Sequence, residues 1–209
     1  MKGDGPWVVE KVVHYKSELS VVVGYDGESK FVTFPPTENI HENGVLRISI
    51  SPARISIELG RRAQDLAQEV IKYIGDPGVF CVEMFLLENE ELLVNEIAPR
   101  PHNSGHHTID SFTVSQYELQ IRALVGLPLI NPQQITSSVL LNVLGEEYTN
   151  LTDSNTINRI LNSQNARLYS YGKLDVRPSR KMGHILFNGS DQEALLSDAI
   201  ETHKILSKG

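Results

Sequence analysis

The chain has 209 residues, 40% hydrophobic and 22% charged, enough to bury a substantial core in one or two domains. Its 19 basic and 26 acidic side chains give a net charge of −7, which argues against a nucleic-acid partner, and no run reaches the ~18 apolar residues of a membrane helix. The single cysteine, Cys81, excludes an internal disulfide framework and a cysteine-rich zinc site; the opening Met1-Lys2-Gly3-Asp4-Gly5-Pro6 lacks a signal-peptide core, so a cytoplasmic globular protein is expected.

In chain order, residues 7–13 (WVVEKVV) and 18–23 (ELSVVV) are rich in β-branched residues and predict strands. Tyr25-Asp26-Gly27-Glu28 predicts a turn into a strand over 30–34. Residues 34–44 are polar and broken by prolines, hence a loop, and 46–50 alternate as another strand. From Ser56 the period changes: Leu59, Ala63, Leu66, Ala67, Val70, Ile71 and Ile74 fall on one helical face, with Ser56 as N-cap and Gly75 as the stop. Strands over 79–87 and 92–98 flank the acidic turn 88–91, and a helix over 112–125 ends at Gly126.

Residues 127–137 form a linker, and the remainder a smaller unit with strands over 138–144, 167–171 and 183–187. Its one helix starts at Ser190, with Glu193 in capping-box spacing, and runs to Leu206. The fold class is α+β, divided into residues 1–134 and 135–209. No internal repeat is visible.

A turn centred between Asn89 and Glu90 sets Glu83 opposite Glu96 across the hairpin, with the apolar Cys81, Phe85, Val94 and Ala98 on the same face. Directly opposed side chains lie ~4.5–5.5 Å apart at Cβ, where like charges destabilise the pair. Two such carboxylates need a cation or a shared proton, and a hard divalent ion such as Mg²⁺ suits them. A one-residue register slip would instead turn one glutamate to solvent. The loop that follows gathers Arg100, His102, Asn103, Ser104, His106 and His107, donors suited to an anionic ligand. A zinc site on the three histidines competes with this, but no flanking helix fixes their spacing.

Glu83-Met84-Phe85 followed by NEIAPRPHNSGHHT (95–108) resembles the ATP-grasp ligases of purine biosynthesis, in particular the 5-(carboxyamino)imidazole ribonucleotide synthases. Residues 10–20, the Asn39-Ile40-His41 stretch and YGKLDVRPSRKMGH (171–184) extend the likeness over nearly the whole chain. The resemblance implies a large antiparallel ATP-grasp lobe followed by a small β-rich C-terminal domain. It implies that Glu10, Lys11 and Val13 meet adenine, that Glu18 holds the ribose, and that Phe85 lines the adenine pocket. It sets His41 near the nucleotide phosphates and makes Glu83 and Glu96 the Mg²⁺ ligands. Arg100, His102, Asn103 and Ser104 would meet aminoimidazole ribonucleotide and the carboxylating group, Arg100 and His102 catalytically. Lys173 and Arg180 would hold the ribonucleotide phosphate, against the alternative of a solvated basic stretch shared with Arg177 and Lys181.

His107 stands where the family usually has a large aromatic, while His14, His184 and His203 are expected to be structural or surface groups and Cys81 a core thiol. The implied partners are ATP, bicarbonate and aminoimidazole ribonucleotide, with a possible homodimer. The sequence contains no glycine-rich phosphate loop, so the chain is expected to be the C-terminal portion of the enzyme, poorly active without the N-terminal part. Two rival readings are a formate-using glycinamide ribonucleotide transformylase and a non-catalytic nucleotide- or partner-binding module.

Overall fold

A computed structural model describes residues 8–151 and 153–207. One antiparallel sheet of nine strands organises it, in the order β6-β5-β1-β3-β4-β7-β9-β8, with β2 paired to β1. Its central strand β1 (Ser17–Tyr25) is buried from Leu19 onward, because helices cover both faces there. It is bordered by β5 (Gly78–Leu86) on one side, and by β2 (Phe31–Thr33) and β3 (Thr37–Glu42) on the other.

Strand alternation sorts the side chains. Val21, Val23, Phe80, Val82 and Met84 point to one face and pack on Ala63, Ala67 and Ile71 of α1 (Ile57–Lys72). Val22, Val79 and Cys81 point to the other and meet Val114, Leu119 and Ala123 at α3 (Gln116–Leu124). The α1 helix begins as expected, with the Ser56 side chain accepting from the Leu59 amide.

The strand β4 (Val45–Ser51) carries the sheet into β7 (Ser137–Leu144) and β9 (Lys181–Gly189), so the ladder runs unbroken past residues 134–135. There Ile48, Ile50, Val139, Leu141, Ile185 and Phe187 form a second core with Leu195, Leu196 and Ala199 of α6 (Gln192–Leu206). The sheet ends at β6 (Leu92–Ala98) and at β8 (Ala166–Ser170). No described helix is long and apolar enough to cross a membrane.

Several expectations need correction. Trp7 lies outside the described residues; residues 8–13 form no strand, and Val8 and Val9 are 85% and 92% exposed. Residues 34–44 contain β3 rather than only loop. The helix expected over 112–125 starts later: Phe112 bridges Gln134, α3 begins behind the Ser115 N-cap, and a separate short α2 (Thr108–Ser111) lies before it. The C-terminal segment holds three helices, not one, because α4 (Gly145–Leu151) and α5 (Ser154–Leu161) fill the stretch after β7. Asp191, rather than Ser190, caps α6 through the Ala194 amide.

Candidate functional site

The face of the sheet opposite α1 carries a polar row, and strand register alone builds it. Ser20 of β1 is level with Glu83 of β5 and Thr37 of β3. One step along, Glu18 is level with Phe85 and Asn39, and Asn39 with Ser49 of β4. Glu83 pairs with Glu96 as the hairpin reading requires, by a different route. Beyond Glu83 the pairing shifts by one, to Met84 with Val94 and Phe85 with Leu93; a bulge at Asn95 absorbs the difference. The turn therefore centres on Asn89, and Val94 does not share the face of the two carboxylates.

Their surroundings differ. Glu83 keeps 18% side-chain exposure, whereas Glu96 sits exposed on the edge strand, so apolar shielding applies to Glu83 alone. Burial raises the Glu83 carboxyl above the ordinary range; the nearby Glu96 and Glu18 charges add to this, and Lys181 and Arg100 oppose it. Such a site favours a cation. No group of three or more His, Cys, Asp or Glu among the described residues could cage a metal. The two carboxylates nonetheless fit Mg²⁺, which typically takes one or two carboxylates and completes its shell with water and substrate phosphates.

Facing them is a cavity of about 500 Å³ lined by His41, Gly44, Leu46, Glu83, His102, Lys173, Ser179 and Lys181. Lys173 Nζ donates to the Lys181 carbonyl at 2.5 Å and lies 5.2 Å over the Tyr171 ring. Lys181, which the sequence offers only as part of the basic stretch, lines the cavity at the start of β9. Burial pulls its ammonium below the usual range, against the attraction of Glu83. Arg180, next to Lys181 in sequence, is not part of the lining and pairs with Asp175 at 3.3 Å. Arg100 is exposed, and its charge is felt at Glu83 and His102.

On the nucleotide side, Tyr15 stacks on Phe85 with ring centroids 4.6 Å apart and donates to Glu18 Oε1 at 2.5 Å. His41 Nδ1 lies 2.8 Å from Glu18 Oε2, off line for a hydrogen bond. Glu10 and Lys11 are exposed and Val13 half-buried in the irregular segment leading to β1. Tyr15 carried no sequence signal beyond its position just before the strand.

The 102–107 loop separates its members. His102 Nε2 lies 3.8 Å from Glu83 Oε1, and burial with the Arg100 and Lys181 charges brings its imidazole down to about 4, hence neutral at pH 7. Asn103 is buried with both side-chain polar atoms unpartnered. Ser104 is 1% exposed and sits beneath His102, bonded to it and to Ser20, so it does not reach the cavity directly. His106 stacks on His184, and His107 is buried between Thr37 and Ser111; the three histidines do not converge as a zinc site.

The loop is held by Gln116, which sequence reasoning missed because a glutamine at the first residue of a helix has no distinctive pattern. Its side-chain amide accepts from the His102 N–H at 2.9 Å and donates to the His102 carbonyl at 2.8 Å. A Cβ on Gly105 would lie 2.5 Å from Gln116 Oε1 and 3.0 Å from Val22 Cγ2. Gln116 is fully buried and cannot yield without releasing both bonds. Gly105→Ala is expected to cost about 2–3 kcal/mol in urea denaturation, from overpacking and stranded backbone groups. A loss below about 0.5 kcal/mol, the scale of an uneventful surface change, would show that the loop accommodates the methyl.

The ATP-grasp domain family matches residues 1–117, and the phosphoribosylaminoimidazole carboxylase C-terminal domain matches residues 138–198. The chain is 42% identical to a Candida albicans phosphoribosylaminoimidazole carboxylase, over 98% of this chain and 38% of that protein. It is 43% identical to the Bacillus subtilis N5-carboxyaminoimidazole ribonucleotide synthase, over 88% of this chain and 47% of that one. The fold superposes on an N5-carboxyaminoimidazole ribonucleotide synthetase solved with ADP, at TM-score 0.88 and 37% identity, covering 95% of this chain and 51% of the other. An Aspergillus clavatus synthase in complex with ADP and 5-aminoimidazole ribonucleotide gives TM-score 0.87 at 30% identity, covering 95% and 53%. The chain thus spans about half the length, or less, of these relatives. With the ATP-grasp family covering the strands that carry Glu18, Glu83 and Glu96, and the phosphoribosylaminoimidazole carboxylase C-terminal family covering Lys173 and Lys181, the chain belongs to the ATP-grasp family.

Proposed function

We propose that this chain supplies one wall of the nucleotide site and the ribonucleotide site of an enzyme that carboxylates 5-aminoimidazole ribonucleotide at the expense of ATP. The observation that carries the reading is the Glu83–Glu96 pair in cross-strand register beside a cavity with Lys173 and Lys181 on it. In the reaction a bicarbonate oxygen attacks the γ-phosphorus and the bond to the β-phosphate oxygen breaks, giving carboxyphosphate and ADP. The exocyclic amine then attacks the carboxyl carbon, directly or as released CO2, phosphate leaves, and the nitrogen gives up a proton. Mg²⁺ held by Glu83 and Glu96 would neutralise charge on the transferring phosphoryl group.

The chain's own residues bind and orient. Glu10, Lys11 and Val13 would meet the adenine edge beside the Tyr15–Phe85 stack, with Glu18 on the ribose hydroxyls and His41 near the phosphates. Lys173 and Lys181, with Arg180 at the rim, would hold the ribonucleotide phosphate. Arg100 and Asn103 would meet the carboxylating group. His102, neutral and hydrogen-bonded, orients rather than supplying charge. Residues 1–134 contribute the nucleotide side and 135–209 the phosphate side, and the rest of a longer enzyme would close over the phosphates and exclude water.

Calorimetric titration of Mg·ADP into the chain, beside a Glu83→Gln/Glu96→Gln double variant, tests this. Binding is expected to need Mg²⁺ and to weaken at least tenfold in the variant. Equal binding by both proteins, or binding indifferent to Mg²⁺, would overturn the assignment of the two carboxylates.

A further inference from the structure

Beneath the cavity a line of buried side chains crosses four elements and ends on His102. Ser49 Oγ of β4 is 2.8 Å from Asn39 Oδ1 of β3, and Asn39 Nδ2 is 2.9 Å from Ser20 Oγ of β1. Ser20 Oγ is 2.8 Å from Ser104 Oγ, which is 2.8 Å from His102 Nδ1. Ser20, Ser49 and Ser104 are 1% exposed and Asn39 is 5% exposed, so no solvent intervenes.

A hydroxyl can donate or accept, an amide can be turned over, and an imidazole has two tautomers, so such a chain could run either way. One group removes the ambiguity. The backbone N–H of Ser104 caps onto His102 Nδ1 at 3.4 Å, and a backbone N–H only donates. Nδ1 must therefore be the unprotonated nitrogen. The Ser104 hydroxyl must then donate to it, and can only accept from Ser20. Ser20 accepts from the Asn39 amide nitrogen, which leaves the Asn39 oxygen to accept from Ser49. Every proton in the line runs from Ser49 towards His102.

We infer that Ser104, Ser20, Asn39 and Ser49 are positioning residues that fix His102 in the tautomer with its proton on Nε2. That nitrogen is the one beside Glu83, on the cavity wall. His102 then presents an N–H, not a lone pair, to whatever occupies the cavity: it donates a hydrogen bond to an anionic oxygen, such as that of bicarbonate or a carboxylated phosphate, and does not take the proton from the attacking amine. The ligand class rests on the proposed carboxylation, whereas the tautomer rests on the hydrogen bonds alone. The same line ties β1, β3 and β4 to the loop, so the imidazole is aimed by the sheet as well as by the loop's own turn.

The experiment is long-range proton–nitrogen correlation of the full chain labelled with ¹⁵N-histidine, at pH 7, where the pattern of each imidazole reports which nitrogen bears the proton. The wild type is expected to show His102 as a single species with the proton on Nε2. Ser104→Ala keeps the long 3.4 Å backbone contact but loses the 2.8 Å hydroxyl donor, and is expected to let the Nδ1-protonated form become detectable beside the Nε2-protonated one; Ser20→Ala, one bond farther back, should do so to a smaller extent. Wild-type His102 carrying its proton on Nδ1 would overturn the inference, as would a folded Ser104→Ala chain with the wild-type pattern. Should Ser104→Ala fail to fold, the wild-type spectrum and Ser20→Ala still decide. None of these readouts depends on turnover, so failure of the carboxylation reading would leave them standing.

Discussion

Replacing Arg47 by alanine is expected to destabilise the chain by about 3–5 kcal/mol, read as a lower midpoint in urea at unchanged slope. Arg47 and Glu147 are 9% and 5% exposed, and one guanidinium nitrogen lies 2.7 Å from both carboxylate oxygens. The same nitrogen also donates to the Asn142 carbonyl at 3.4 Å, while Nε meets Glu42 at 3.1 Å. Glu147 additionally accepts from the Leu144 amide, so the pair binds the start of α4 to the end of β7. Burying two charges is costly, and the pair need not contribute much net stability while intact. Removing one partner differs, because the remaining carboxylate is left desolvated. His203 Nε2 also lies 3.0 Å from Glu147 Oε1, on the same buried carboxylate. Removing the stranded charge as well, in Arg47→Ala/Glu147→Leu, should recover most of the loss. An Arg47→Ala chain as stable as the parent would mean that this buried pair is not what fastens the two halves of the sheet.

Much of this site was legible because strand alternation and charge repulsion act locally. The opposition of Glu83 and Glu96 follows from hairpin geometry, although the sequence could not show that a bulge at Asn95 corrects a turn centred one half-step earlier. The strand β3 was hidden for a physical reason. Its Thr37, Asn39 and His41 face a polar site and not an apolar core, so hydrophobic periodicity has nothing to register. The converse error arose at residues 8–13, where β-branched residues have the propensity for a strand but no partner strand among the described residues. The roles of Gln116 and Lys181 depend on contacts between residues far apart in sequence, and neither spacing nor composition encodes those.

Acidification is expected to unfold the chain well before its carboxylates are protonated. Burial holds His107 down to about 3, with His106 adding to the shift, and holds His184 down to about 4. Their side chains are 1% and 2% exposed, His107 lying between the Thr37 and Ser111 hydroxyls and His184 bonded to the Tyr171 hydroxyl at 2.8 Å. In the unfolded chain both would titrate near the ordinary value of about 6.5. Between the two values the unfolded state binds protons that the native state refuses. The stabilisation from these neutral imidazoles is thus complete above pH ~6.5 and is lost as pH falls. Each contributes a slope of about 1.4 kcal/mol per pH unit, so the pair approaches about 3. Glu83, raised in the native state, acts in the opposite direction as a single, partly exposed group and cannot offset two. Falling from pH 6.5 to 4.5 should remove about 5 kcal/mol through these two imidazoles alone, the lower end of a typical domain's whole stability, and His102 and His106 add to the loss. His107→Phe separates the contributions: the ring would keep its contact with Phe112, now 5.7 Å between centroids, and remove one titrating group. With His102 and His106 also held down by burial, urea midpoints for this variant should fall about a quarter less steeply over pH 6.5–4.5, while an unchanged slope would place the acid sensitivity elsewhere.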